Sequence, residues 1–434
     1  MKIGLQSWGS AGDVRPLLAL AQGLHLAGHE VDVVVSRVDA NEATQPDYAA
    51  LAPSAGFPIR QAGRLSYSNA ALRDLVSEIQ GTRSPVQQLE RMMRGLFDPM
   101  CGEIFEASKR LARDNDVVIG HQLMFPLWLA AKKADRPYFT ITFLPSMIPS
   151  AHQPPSGLPD LGRFLNPALW RIADFAMRSV FTARLNRLCL AEGVPFAPDF
   201  FWNVASSQTL NLIAVSGELV RALPDWPAQH RPCGFLDMPT EPNAHPLPPE
   251  LEAFLGSGPP PVFMALGSML LGDSKFESLT ATLVKAAELA GCRAIVQSAW
   301  EEITTIPQTP NLFRAGKIPH AAVFPRCAAI VHHGGAGTSH SATRAGRPSI
   351  VVPFAYDQGY WARRLQEAGV ALAPLPRRSL RADTLAKRIR DTMENGSLKA
   401  RAARVGEAMR IENGVAQAVR LVEAALVAGA AALS

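Results

Sequence analysis

The chain runs to 434 residues with 47% hydrophobic and 19% charged side chains, enough for two or three domains at roughly 100 to 200 residues each, which excludes disorder, collagen and coiled coil as whole-chain descriptions. Its 43 Lys and Arg against 38 Asp and Glu give a net charge of +5 without any basic block, so nucleic acid is not an expected partner, while peripheral association with an acidic membrane surface stays open. Cys101, Cys189, Cys233, Cys292 and Cys327 show no C-x-x-C spacing, which argues against a disulfide framework or a zinc ribbon and for reduced thiols in a cytoplasm.

The opening Met-Lys-Ile-Gly-Leu passes straight into an apolar segment with no leader of the secretory type. No window reaches the roughly 18 apolar residues of a spanning helix, so a soluble cytoplasmic protein is expected. Residues 3–7 read as a strand, 9–12 as a Gly/Ser loop, the stretch to about 27 as a helix capped by Gly28, and 31–35 as a strand buried on both faces. That is a βαβ start. The pattern repeats with strands at 117–119 and 138–143 around a helix at 127–133.

A second series has strands at 262–266, 293–297, 312–315, 329–332, 349–353 and 370–373, with helices at 276–290, 338–345 and 360–368. The alternation predicts an α/β protein with two doubly wound halves. Prolines crowd the stretch between them, with Pro239, Pro242, Pro246, Pro248 and Pro249 close together, and stiffen a connector. The expected division is a first domain over 1–235, a linker over 236–260 and a second domain over 261–434, whose last helix is free to pack back on the first. A second proline-rich loop, 145–167, follows a strand and suits a binding wall.

The most informative segment is 329–339, where an apolar strand delivers His332 and His333 into a turn holding Gly334, Gly335 and Gly337, with a helix starting near Thr338. Unpaired N–H groups and the positive dipole end at such a helix start suit an anion, phosphate above all. The bland alternative is a tight β-to-α turn whose glycines serve geometry alone. Asp357 and Gln358, past the next strand, are placed to bond sugar hydroxyls, although Asp357 also reads as a helix N-cap.

The runs HHGGAGTS (332–339), RAGRP (344–348) and VVPFAYDQ (351–358) resemble the donor site of family 1 glycosyltransferases of the GT-B fold, especially bacterial natural-product, sterol and lipid glycosyltransferases. GSAGDVRP (9–16) resembles the first loop of that group, and GSM (267–269) and IPH (318–320) fall at its donor-domain loops. The resemblance implies two Rossmann-like domains facing a central cleft, with acceptor on the first and donor on the second. It implies an inverting transfer of a sugar from a UDP- or dTDP-sugar to a hydroxyl of an apolar small molecule, with no metal and no cofactor beyond the nucleotide sugar. Carried over, it puts His333, Gly335, Ala336, Gly337, Thr338 and Ser268 on the diphosphate, Asp357 and Gln358 on the sugar, and Ile318 and His320 beside the base. Where plant members hold the ribose with an acidic residue, this chain has Ser341. A thymidine donor therefore stands beside a uridine one.

In the first loop, Asp13 stands where many relatives carry a catalytic histidine, as in a bacterial subgroup with an aspartate as the proposed base. A hydroxyl acceptor must lose its proton as it attacks, which is work for a general base. On position alone Asp13 is also an N-terminal helix charge. His121, just past a strand, can orient Asp13 or the acceptor, or be a hydrogen-bonded core histidine. Ser10 and Gly12 complete the loop with the same ambiguity. His320, His332, His333 and His340 lack the spacing of a zinc motif. Asp114, Asn115 and Asp116 precede a strand and read as a solvated turn, not a metal-holding D-x-D. Aromatic and Met residues over 164–181 suit core or pocket lining, with a membrane face as the alternative. A nucleotide-sugar epimerase and a non-catalytic sugar-nucleotide-binding partner are the rival functions.

Overall fold

The computed structural model describes residues 1–38, 48–65, 67–82, 84–237, 247–266, 273–297, 308–316, 318–354 and 357–433. It divides into two compact units, the first comprising Met1–Asn69, Gly81–Met238 and Asn413–Ser434, the second Ala70–Gln80 and Pro239–Glu412.

The first unit is built on a seven-stranded sheet of β1 (Lys2–Gly9), β2 (Glu30–Arg37), β3 (Ile59–Gln61), β4 (Val117–His121), β5 (Tyr138–Thr142), β6 (Asn211–Ile213) and β7 (His230–Pro232), in the order β3-β2-β1-β4-β5-β6-β7. Every pairing is parallel. Residues 3–9 of β1 and all of β4 are buried, as expected of strands covered by helices on both faces. The three-residue strands β3, β6 and β7 are too short to show a period, and the sequence pattern passes over them. Pro232, which cannot donate to a ladder, sits in the edge strand.

The second unit carries β8 (Val262–Ala265), β9 (Ala294–Gln297), β10 (Leu312–Ala315), β11 (Ala329–His332) and β12 (Ser349–Val351) in the order β10-β9-β8-β11-β12, again all parallel. Alternate side chains enter different cores: Val262, Met264, Ala294, Val296, Ala329 and Val331 pack in one cluster, and Phe263, Ala265, Ile295 and Ile330 in another. Both doubly wound halves are thus present. The expected strand at 370–373 is reduced to a single parallel bridge, Ser349 to Ala371.

One boundary differs from expectation, and the last helix takes the place left open for it. The linker over 236–260 contains a helix, Pro249–Gly256, because Pro249 sits in the first turn, where a missing N–H costs nothing, and Leu251, Phe254 and Leu255 are buried in a core of the second unit. The final helix, Gly414–Leu433, belongs to the first unit. Its Ala418, Val419, Leu421 and Val422 join Leu17, Leu20 and Leu24 in that unit's core. Among the described residues no helix is long and apolar enough to cross a membrane.

Candidate active site

In each sheet the strand order reverses beside the first strand, between β1 and β4 and between β8 and β11. Open parallel sheets bind ligands outside the carboxyl ends of strands at such a switch point. Asp13 and His121 lie at the first of these places and His332 and His333 at the second.

At the first, β1 ends at Gly9 and helix Ala11–Leu26 begins. Gly9 has φ +141°, and a Cβ there would lie 2.3 Å from Asp13 Oδ2, so only glycine lets the chain turn tightly enough to receive that carboxylate. Ser10 is the N-cap. Its N–H donates to Asp13 Oδ2 at 2.9 Å, its hydroxyl donates to the same oxygen at 3.0 Å, and Gly12 N–H donates to Ser10 Oγ at 3.3 Å. This is a capping box with Asp at N3. Ser7 Oγ adds a bond to the Asp13 carbonyl at 3.0 Å.

One carboxylate oxygen therefore serves the helix, and the other points elsewhere. Asp13 Oδ1 lies 3.7 Å from His121 Nε2, with the Asp13 side chain 32% exposed and that of His121 4% exposed. That separation is an electrostatic contact, longer than a hydrogen bond. The His121 ring stacks on Phe143 at 5.3 Å and 18°, and its Nδ1 is buried without a hydrogen-bond partner among the described residues. Burial lowers the His121 pKa more than the neighbouring Asp13 charge raises it. A neutral imidazole then faces an accessible carboxylate, an arrangement able to receive a proton. Gln122 was not anticipated. It accepts from Phe143 N–H at 3.0 Å and so fixes the residue under the His121 ring.

At the second switch point, β8 leads toward Ser268, which lies outside the described residues, and β11 delivers His332 and His333. His332 is fully buried and accepts from Gly334 N–H through Nδ1 at 3.1 Å. Gly334 has φ +92°, and a Cβ on it would meet Val351 Cγ1 at 2.8 Å and the Gln358 carbonyl oxygen at 2.9 Å. The His333 ring crosses the start of helix Ala336–Arg344, for a Cβ on Gly335 would lie 2.5 Å from its Nε2. The N–H groups of Ala336, Gly337 and Thr338 precede the bond from Ser339 N–H to Gly335 O at 2.9 Å, so they stand at the helix's anion-attracting end. His333 Nδ1 is buried with no partner among the described residues.

Gln358 and Asp357 lie beside this loop through the approach of Gln358 O to Gly334. Gln358 Oε1 accepts from Phe354 N–H at 2.7 Å. Asp357 occupies the N-cap position of helix Gln358–Glu367 but makes no side-chain cap bond; its Oδ2 accepts from Trp361 Nε1 at 2.9 Å. Of the two residues expected beside the base, Ile318 turns its side chain into the core, 9% exposed. His320 contacts Gln297 Oε1 at 3.2 Å and stacks on Phe324 at 4.3 Å. Asp114, Asn115 and Asp116 are structural. Asp114 pairs with Arg113, Asn115 bonds the Leu111 carbonyl, and Asp116 accepts from Lys2 N–H.

Burial pushes His332 down to about 3, with the charges of His333 and His320 adding to the effect, and pushes His333 and His340 each down to about 4. All three lie below an exposed imidazole at about 6.5, so as pH falls the unfolded chain binds protons that the folded chain refuses. Their contribution is complete above about pH 6.5 and is lost toward pH 4, with a slope of up to about 1.4 kcal/mol per pH unit per histidine. Urea unfolding at about pH 7.5 and about pH 5 should show a lower midpoint in acid. Coincident midpoints would show that these histidines are not held neutral.

Two parallel α/β units, each with a glycine turn at its switch point, define a nucleotide-handling enzyme class that comparison with known proteins makes specific. Residues 283–424 match the EryCIII-like C-terminal domain, described as erythromycin biosynthesis protein CIII-like. Glycosyltransferase GtfE of Amycolatopsis orientalis is 30% identical over 382 residues, covering 86% of each chain. O-mycaminosyltylonolide 6-deoxyallosyltransferase of Streptomyces fradiae is 28% identical over 98% of this chain and 97% of its own. The crystal structure of glycosyltransferase VinC in complex with dTDP superposes with a TM-score of 0.65 at 21% identity, covering 98% of this chain and 99% of its own. The chain belongs to the family 1 glycosyltransferases of the GT-B fold, enzymes that transfer sugars from nucleotide sugars.

Proposed function

We propose that this enzyme is an inverting glycosyltransferase that moves a sugar from a dTDP- or UDP-sugar to a hydroxyl group of an apolar small molecule in the cytoplasm. The observation that carries the proposal is the divided Asp13 carboxylate, with Oδ2 held by Ser10 and Oδ1 left toward His121. A base must be oriented and partly accessible, and the capping box supplies the orientation. On this reading the acceptor oxygen attacks the anomeric carbon, its proton passes to Asp13 Oδ1, and the bond from that carbon to the diphosphate breaks. The negative charge left on the diphosphate is stabilised by His333 and the helix N–H groups of Ala336, Gly337 and Thr338, and the family resemblance assigns Ser268 the same role. Asp357 and Gln358 bind the sugar, and the backbone at Ile318 and His320 borders the base. No metal is required in this scheme. The thymidine donor is supported by the dTDP bound to VinC and by Ser341, and the apolar acceptor by the tylonolide derivative in a relative's name.

A panel of dTDP- and UDP-sugars crossed with hydroxylated apolar acceptors, run with excess chelator and read by mass spectrometry and proton NMR, tests this. The expected product is a glycoside with its anomeric configuration opposite to that of the donor, formed at the same rate with and without chelator. Retained configuration, an epimerised donor without acceptor, or turnover restored only by a divalent ion would each reject part of the scheme.

A further inference from the structure

Helix Asn166–Met177 buries one side and leaves large apolar side chains on the opposite one. Asn166, Trp170 and Asp174, four residues apart, face inward and are buried, with Trp170 Nε1 bonded to the Gln153 carbonyl at 2.8 Å. Leu165, Ile172 and Phe175, spaced by seven and three, share the outward side at 55%, 60% and 69% exposure, and Phe164 just before them is 81% exposed. A surface helix ordinarily shows polar residues there, and a cluster of large exposed apolar side chains marks an interaction surface.

Three arginines lie against the aromatic rings of this face, with exposed Asp160 beside them and Asp199 bonded to Trp202 N–H. Arg163 lies over the Phe164 ring at 4.7 Å, Arg178 over Phe175 at 5.4 Å and Arg171 over Trp202 at 4.7 Å. The acidic residues between 158 and 179 are Asp160 and Asp174. Asp160 is bound to Gly162 N–H and Asn166, and Asp174 is buried. We propose that this face docks the enzyme reversibly on an anionic lipid bilayer, with Phe164, Leu165, Ile172 and Phe175 entering the acyl boundary and Arg163, Arg171 and Arg178 meeting lipid phosphates. An apolar stripe flanked by arginines is the pattern of a helix lying in the membrane interface. A second copy of the chain is the poorer occupant, because a two-fold contact through this face would set arginine against arginine.

The test is sedimentation of the full chain with vesicles of phosphatidylcholine mixed with phosphatidylglycerol, and with vesicles of phosphatidylcholine alone. Binding is expected to the mixed vesicles and to weaken with salt. Phe164→Ser with Phe175→Ser should lower it on the order of tenfold or more, and Arg171→Glu with Arg178→Glu on the order of fivefold per arginine. These side chains are exposed, so melting temperature should stay at the wild-type value. Photoactivatable phosphatidylglycerol should crosslink the wild-type chain within 161–178, a readout independent of variants. Absence of vesicle binding, binding unchanged in both variants, crosslinks confined elsewhere, or a wild-type dimer that the Phe variants convert to monomer would each overturn the proposal.

Discussion

Asp13→Asn is expected to lower turnover about 10²- to 10⁴-fold at saturating acceptor, the usual contribution of a general base, while leaving donor affinity unchanged. The geometry makes this substitution unusually clean. Asparagine keeps a carbonyl oxygen that can accept from Ser10 N–H and Oγ as Asp13 Oδ2 does, so the cap survives and the amide nitrogen falls where Oδ1 now faces His121. Asp13→Ala, in contrast, removes the proposed base together with the bonds from Ser10 N–H and Oγ and should also lose about 1 kcal/mol of stability. Comparing the two by turnover and thermal melting separates chemistry from capping. If the Asn variant turns over within threefold of wild type, Asp13 serves the helix alone, and His121 becomes the residue to examine as base.

His333→Ala should weaken nucleoside diphosphate binding at least tenfold, since a hydrogen bond to a charged group is worth about 1.5 to 3 kcal/mol, with little change in melting temperature. His332→Ala should behave differently. That ring is fully buried and accepts from Gly334 N–H, so its removal leaves a cavity and an unpaired donor, costing on the order of 1 to 3 kcal/mol of stability. His332→Asn, whose amide oxygen can accept from the same N–H, should recover part of it. Calorimetric titration with dTDP beside thermal melts distinguishes the two roles. Equal affinity losses from both alanine variants at matched stability would sink the assignment of His333 to the diphosphate.

The sequence by itself determined what depends on neighbours in the chain. Unbroken apolar runs such as 31–35 and 329–332 mark strands buried on both faces, and the Ser10 and Gly334–Gly335 turns after β1 and β11 mark helix starts. Those signals placed both α/β halves, and the resemblance carried by GSAGDVRP, HHGGAGTS and VVPFAYDQ singled out Asp13, His333 and Gln358. The tertiary structure alone decided what depends on register and closure. Asp13 and His121 are neighbours only because β1 pairs with β4, setting Gln6 against Gly120, and no local pattern links residues so far apart. Likewise β3 and β6 form on the longer strands β2 and β5, and β7 pairs in turn with β6, and the final helix joins the first unit because its apolar face meets Leu17, Leu20 and Leu24 there. The helix-terminal reading of Asp13 rests on Oδ2, which Ser10 holds, and the proposed base is Oδ1, which faces His121, a division visible only once hydrogen-bond geometry fixes which oxygen the helix uses.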